Sequence, residues 1–376
     1  MTKPAGELEQ ELHTTEMELN LGPQHPSTHG VLRVVLKLDG ERIRDAKPVI
    51  GYLHRGCEKL GECRSYPQVV VYTDRMDYVA AFAGNLTYIE AVEKLCGIEA
   101  PPRARYMRLV LAELQRIASH LLWLATHALD IGAMSVFLYC FRERELVLDL
   151  FEAYCGARLT LNAVRVGGQL NDFPEGWVEE CRKFCDRLPG AIEEYEALLT
   201  QNRIWMDRTR GVGVISAEDA IAWGMSGPPL RGSGVGYDVR KAIPYAAYAD
   251  LDFDVPVGEH GDTYDRYLVR MEEMRQSRRL ILQALDRMPA GDVRAKVPKR
   301  LKPPAGGEVY HVTEGPRGEQ GVYLVSDGSD TAWRCRFRSP CFVNLQALPD
   351  LARGHLVADI VALIGTIDIV LGCVDR

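Results

Sequence analysis

No Cys-x-x-Cys pair occurs in this 376-residue chain, although it carries ten cysteines. The usual thiolate signature of zinc sites, iron–sulfur clusters and dithiol oxidoreductases is therefore missing. Cys181 and Cys185 fall four apart on an expected helix, and Cys335 and Cys341 flank a short Arg/Phe/Pro stretch. Reduced thiols packed as small apolar side chains are the expectation for all of them. A long basic run is absent too. With 45 Lys and Arg against 52 Asp and Glu the net charge is −7, which argues against a nucleic-acid partner. The opening MTKPAGELEQELHTTEME lacks an apolar segment, so no secretory signal is expected. Long apolar runs are interrupted: Leu121–Phe141 by His127 and Asp130, and His355–Val374 by Asp359, Thr366 and Asp368. A central Asp costs ~2.5–3.5 kcal/mol in a spanning helix, so both stretches read as buried helices of a core. There is no internal repeat and no low-complexity segment. What remains is an ordinary globular composition, 47% hydrophobic and 26% charged, long enough for one large core or two to three domains.

The pattern along the chain indicates an α+β protein, mainly a helical bundle core with small antiparallel sheet regions. Residues 1–16 read as a flexible tail. Residues 17–50 form an N-terminal β region, in which Asp39-Gly40 is a hairpin signal. Residues 51–290 form the helical core. Asp74 can cap a helix running to Gly97, Pro101-Pro102 opens a long helix to about Asp130, and Ser135–Tyr154 ends at Gly156. Trp177–Leu199 reads as two helices broken at Pro189-Gly190. Residues 207–262 read as mostly irregular, with one short helix after Ser216. Asp262–Met288 is a strongly charged helix. Residues 291–343 are a connector and a small β region, with strands at Val309–His311, Gly321–Ser326 and Trp333–Arg338. Residues 344–376 are a helical segment returning to the core.

The densest chemical cluster is GPQHPSTHG, Gly22 to Gly30. Loop imidazoles at His25 and His29 can titrate near neutral pH and donate protons, or can simply bind backbone carbonyls. In DRMDY, Asp74 and Asp77 favour a helix start, and Tyr78 is either a site residue or a core tyrosine. Asp130, one turn after His127, needs a partner among Leu, Ala and Ile: an arginine, a following turn or a histidine. Arg55 and Arg165 sit beside glycines, which suits an anionic cofactor on a partner and equally suits an ion pair. Gly232-Ser233-Gly234-Val235-Gly236 does not open a helix after a strand, so it is a poor phosphate loop.

These pieces also occur in one order: GPQHPSTHGVLR, GYLHRGCEKL, YTDRMDY, PPRARYMR, HALDIGAM, RVGGQLNDFP, SGVGYDVRKAIPY, FDVPVGEHGDTYDR, CFVNLQAL and LGCVDR. From about Glu18 to Arg376 the chain resembles the 49-kDa-type, or D-type, family of respiratory complex I subunits. That family is related to the large subunit of nickel–iron hydrogenases and has lost the metal. The resemblance implies a hydrogenase-large-subunit-like fold and a peripheral place on the cytoplasmic face of the cell inner membrane. It implies other complex I subunits as partners, above all the B, C and H subunits, and no metal on this chain. Quinone would bind between His29 and Tyr78, at the head of a tunnel in the vacated metal cavity, and Asp130 would orient His29. Arg55 and Arg165 would lie near a [4Fe–4S] cluster belonging to the neighbouring B subunit. The implied activity is electron transfer from that cluster to quinone in a proton-translocating NADH:quinone oxidoreductase. A nickel site is the alternative on the same fold, but its first-pair positions are Asp77 and Ala80 and its second-pair positions are Val370 and Cys373. One thiol cannot make it. Three departures, a short segment before Glu308, Thr160 and Val49 in place of frequent histidines, point to a divergent or second copy. A related membrane-bound complex with another electron donor is the second alternative.

Overall fold

The computed structural model describes residues 16–28 and 30–376. The tail expected over residues 1–16 and the candidate His29 fall outside them, apart from Glu16. Three strands, Met17–Leu21, Arg33–Asp39 and Arg42–Val49, form an antiparallel sheet in chain order. In the middle strand Val34, Leu36 and Leu38 are buried and alternate with more exposed residues, as one buried sheet face requires. Gly40, at φ 60, turns the hairpin marked by Asp39-Gly40.

The helical core is built on Pro102–Ile131, which is buried on nearly every side. It packs against Met134–Cys155 and Thr263–Arg287. Each fully buried Leu or Ile contributes roughly 1.5–3 kcal/mol, so apolar burial dominates this centre. Gly132 and Gly156 stop the first two of these helices in the left-handed conformation. Asp262 caps the third by accepting the Asp265 N–H at 2.8 Å. The apolar stretch Leu121–Phe141 is therefore divided between two helices. The stretch His355–Val374 is likewise divided among short turns and helices. Among the described residues no helix is long and apolar enough to cross a membrane. A second antiparallel sheet, Glu308–Gly315, Gly318–Ser326 and Ala332–Arg338, packs on the helix Ala81–Cys96.

Four local expectations are corrected. Asp74 does not start a helix: it ends Tyr66–Thr73, and the next helix begins only at Ala81. The intervening turn is held by tertiary contacts that outweigh the local pattern. Pro189 does not break Trp177–Leu199, which is continuous. Residues 207–262 are less irregular than expected, because Pro228–Gly232 and Val239–Ala242 are helical as well as Ala217–Ala222. The C-terminal helices start earlier than expected, at Pro340.

Candidate active site

The loop before His29 is a single 3-10 turn, Pro26–Thr28. Its Thr28 hydroxyl donates to the His25 carbonyl at 2.7 Å, and the Ser27 N–H donates to His25 Nδ1 at 3.2 Å. The Ser27 hydroxyl also donates to Asp130 Oδ1 at 3.4 Å. The loop thus lies against the end of the long helix through Ser27 and Asp130. His127, one turn earlier, is packed between aromatic rings. It stacks on Trp123 with centroids 5.2 Å apart and meets the edge of Trp205 at 5.4 Å.

Tyr78 stands in the irregular turn between Thr73 and Ala81 and is 37% exposed. Burial of the rest pushes the phenol above its usual value; Arg317 and Arg55 pull against this, while Asp77 and Cys341 add to it. The turn is close to the last helix, Leu371–Asp375. A Cβ on Gly372 would lie 3.2 Å from Tyr78 Cε1, and one on Gly30 would lie 3.9 Å from Leu371 Cβ. Leu371 and Gly372 therefore lie near both the residue after His29 and the Tyr78 ring.

Arg55 joins this group: its Nη2 donates to the Arg75 carbonyl at 2.7 Å. Arg165 belongs to a second group. It sits in the tight hairpin Val164–Gln169 and donates to Asn162 Oδ1 at 3.1 Å and to the Val164 carbonyl at 2.9 Å. The hairpin is anchored by Arg108, which donates to the carbonyls of Arg165 and Gly168, and by the Gly167 N–H on Glu93. Arg165, Arg294 and Lys299 line a hollow of about 410 Å³. Burial and then Arg294 lower the Arg165 pKa.

At the place of the nickel alternative, Asp77 is taken up by Arg317, and Ala80 offers no ligand atom. Cys373 is buried as expected but does not stand alone. It contacts the Ser339 hydroxyl at 2.9 Å and is hydrogen-bonded to the buried Cys341 thiol. Burial pushes Cys341 up, while the bond from Cys341 pulls Cys373 down. Among the described residues no group of three or more His, Cys, Asp or Glu is arranged to hold a metal ion. The hollow beside Asp77, Ser339 and Cys373 has room for a water, about 30 Å³, and not for a quinone ring. A groove of about 920 Å³ along Arg210, Val257, His260, Tyr264 and Leu268 shares no lining residue with this group.

Residues 130–305 and 297–376 match the family described as respiratory-chain NADH dehydrogenase, 49 Kd subunit. The chain belongs to that family, whose members are constituents of an oxidoreductase. It is 57% identical over 365 residues to the NADH-quinone oxidoreductase D subunit 2 of Solibacter usitatus, covering 97% of this chain and 98% of the relative. It is 49% identical over 400 residues to the D subunit 2 of the same enzyme from Thermodesulfovibrio yellowstonii, covering 99% and 100%. It is 53% identical over 387 residues to the D subunit from Geotalea uraniireducens, covering 96% and 99%.

In this member of the 49-kDa family the sequence reading missed a buried polar network behind the site. Arg317 grips Asp77 and Asp368. Arg231 joins Glu273, Glu314 and Asp238, and Arg240 joins Asp238 to Glu113. Glu314 is pushed up to about 7 by burial and by Asp238, against the pull of Arg231. The available signal was the spacing of Glu113, Arg116 and His120, which puts three polar groups on one face of a helix rich in Leu and Ala.

Proposed function

We propose that this chain carries the quinone site of an NADH:quinone oxidoreductase. It would take electrons from an iron–sulfur cluster of the neighbouring B subunit and deliver them to quinone beside Tyr78 and His29, coupled to proton translocation. The observation that supports this reading is the nearness of Leu371 and Gly372, on one short helix, to the residue after His29 and to the Tyr78 ring respectively. Reduction of a quinone to quinol consumes two electrons and two protons. A phenol of pKa about 10 and an imidazolium of pKa about 6.5 are suitable donors once the ring oxygens become basic. Tyr78 would give one proton and His29 the other. Asp130, reached by the same loop through Ser27, would orient His29 and lose its charged partner when that proton leaves. That change of local charge would start the conformational signal to a proton-pumping arm. Arg55 would lie near the partner cluster on the Tyr78 side, and Arg165 on the side of the Arg294 hollow. The B, C and H subunits are the proposed neighbours, on the cytoplasmic face of the inner membrane. The five-part division of the chain at residues 17, 51, 291 and 344 belongs to the same reading.

In membranes carrying the whole complex, Tyr78→Phe should lower NADH-driven quinone reduction by roughly 10²-fold, the lower range for loss of a positioned acid. Asp130→Asn should slow quinone reduction and proton pumping together. Reduction of a small artificial acceptor by NADH, which does not need this site, should be unchanged. Wild-type quinone turnover in both variants would end the reading.

A second reading, a copy serving a complex with another electron donor, is favoured by one structural feature. The connector after Arg287, the segment that the resemblance marks as short, runs to Glu308 without a helix. Two of the relatives named above carry the numeral 2 in their names. Donor specificity of the purified complex separates the two readings.

A further inference from the structure

The tip of the C-terminal hairpin, between Gly315 and Gly318, carries Arg317 into the core. The tip fits because two glycines meet there backbone to backbone. A Cβ on Gly318 would lie 2.5 Å from Ser226 Oγ, and one on Gly227 2.5 Å from Gly318 Cα. Asn344 Nδ2 holds the Arg317 carbonyl at 3.2 Å. The buried guanidinium is bonded on every side. Nη1 donates to Asp77 Oδ1 and Oδ2 at 3.1 and 3.0 Å and to the Ser119 hydroxyl at 3.0 Å. Nη2 donates to Asp368 Oδ1 at 3.1 Å, and Nε to the Asp368 carbonyl at 2.8 Å.

Asp77 immediately precedes Tyr78, and its Oδ1 also accepts the Ala80 N–H at 3.2 Å. The carboxylate gripped by Arg317 is thus the one that closes the Tyr78 turn. From the other side Gly372 presses on the same turn, since a Cβ there would lie 2.5 Å from the Met76 carbonyl oxygen. The turn belongs to no helix or strand, so these contacts, rather than a regular hydrogen-bond ladder, set where the phenol stands. A buried ion pair adds little net stability over a well-packed apolar replacement. What the fork of a guanidinium supplies in addition is direction.

We propose that Arg317 is a positioning residue for Tyr78: by binding Asp77 and Asp368 together it fixes the Tyr78 turn against the C-terminal helices. The proposal rests on the reading of Tyr78 as a quinone-site acid. Lysine at position 317 keeps the charge but, as a single ammonium, cannot bond Asp77, Ser119 and Asp368 together in this geometry.

The test is a double-mutant cycle in the intact membrane complex, reading quinone turnover, quinone KM and NADH-to-artificial-acceptor rate. Arg317→Lys should lower quinone turnover about 10-fold and raise quinone KM, with the artificial-acceptor rate unchanged, because small misplacements of a reacting group are costly. In the Tyr78→Phe background the same substitution should have almost no further effect. Asp77→Asn, which weakens one side of the clamp and keeps its shape, should show a smaller loss with the same non-additivity. It also serves if the lysine variant does not assemble. If Arg317→Lys and Asp77→Asn multiply with Tyr78→Phe, or leave turnover intact, Arg317 does not act through Tyr78 and the proposal is overturned. If Tyr78→Phe itself leaves turnover intact, the underlying reading fails instead.

Discussion

His120 meets the Glu273 carboxylate through Nε2 at 2.7 Å, and neither side chain reaches solvent. Burial pulls the imidazole from 6.5 down to about 4; Glu273 resists this, and Arg270 and Arg116 add to it. Burial disfavours the charged form of Glu273 too, but Arg231 and His120 outweigh it and hold that carboxyl well below its usual value. An unfolded chain binds a proton on this histidine near pH 6.5, while the folded chain does so only near pH 4. Between these values the unfolded state holds more protons, so stability rises with pH across that window. The contribution of His120 is complete above about pH 6.5 and is lost as pH falls through about 4. His120→Gln keeps a donor for Glu273 and cannot titrate. Its unfolding temperature within the purified complex should fall less steeply from pH 6.5 to 4 than that of the parent. Identical slopes would assign the acid sensitivity to other groups.

The helix Trp177–Leu199 shows how an element can contradict its own sequence. Pro189 has no N–H to offer the Cys185 carbonyl four residues earlier. Arg278 Nε, from the neighbouring Thr263–Arg287 helix, donates to that carbonyl instead. Arg278→Met should therefore cost about 1–3 kcal/mol, the range for a buried acceptor left unmatched. In a Pro189→Ala background the new N–H restores the helical bond, and the cost of the same substitution should shrink towards zero. Thermal unfolding of the four variants checks this. An equal cost in both backgrounds would mean that Arg278 acts through another contact, such as Asp186 at 3.9 Å. The same contrast explains which elements could be read in advance. Pro102, Gly97, Gly156, Ser216 and Asp262 mark helix ends by local chemistry, and they do so in the fold. The turn from Asp74 to Ala80 and the unbroken helix at Pro189 depend on arginines far along the chain, which no local window contains.

Across the whole molecule, the candidate site is made where distant segments converge, which limits what residue spacing alone could reveal. Spacing left Tyr78, Asp130 and Arg55 with structural as well as functional readings, and only the ordered set of motifs favoured one. Arg317 and Gly372 drew no attention because their importance lies in what they touch. The same convergence ties residues 51–55 to the final helix. Asp375 is buried, and its carboxylate accepts the Gly51 N–H at 2.9 Å and the Leu53 N–H at 2.7 Å. His54 Nδ1 meets the Asp375 carbonyl at 2.6 Å, and the Arg55 N–H donates to the Arg376 carbonyl at 3.0 Å. Asp375→Ala removes two acceptors at once, each charge-assisted, and leaves both amides to water or to nothing. A total loss of about 1–3 kcal/mol is expected, at the level of one or two such bonds on a partly solvated loop. Because the loop carries Arg55, and Arg55 binds the carbonyl of Arg75 in the approach to Tyr78, the loss should not stay local. Amide exchange at Gly51 and Leu53 in the intact complex should quicken about 10-fold or more. Exchange around Arg75–Tyr78 should quicken with it, and quinone turnover should fall. Fast exchange at Gly51 with full protection at Arg75–Tyr78 would show that the loop is stabilised by Asp375 yet does not support the tyrosine turn, since a clamp shared through Arg55 cannot loosen at one end alone.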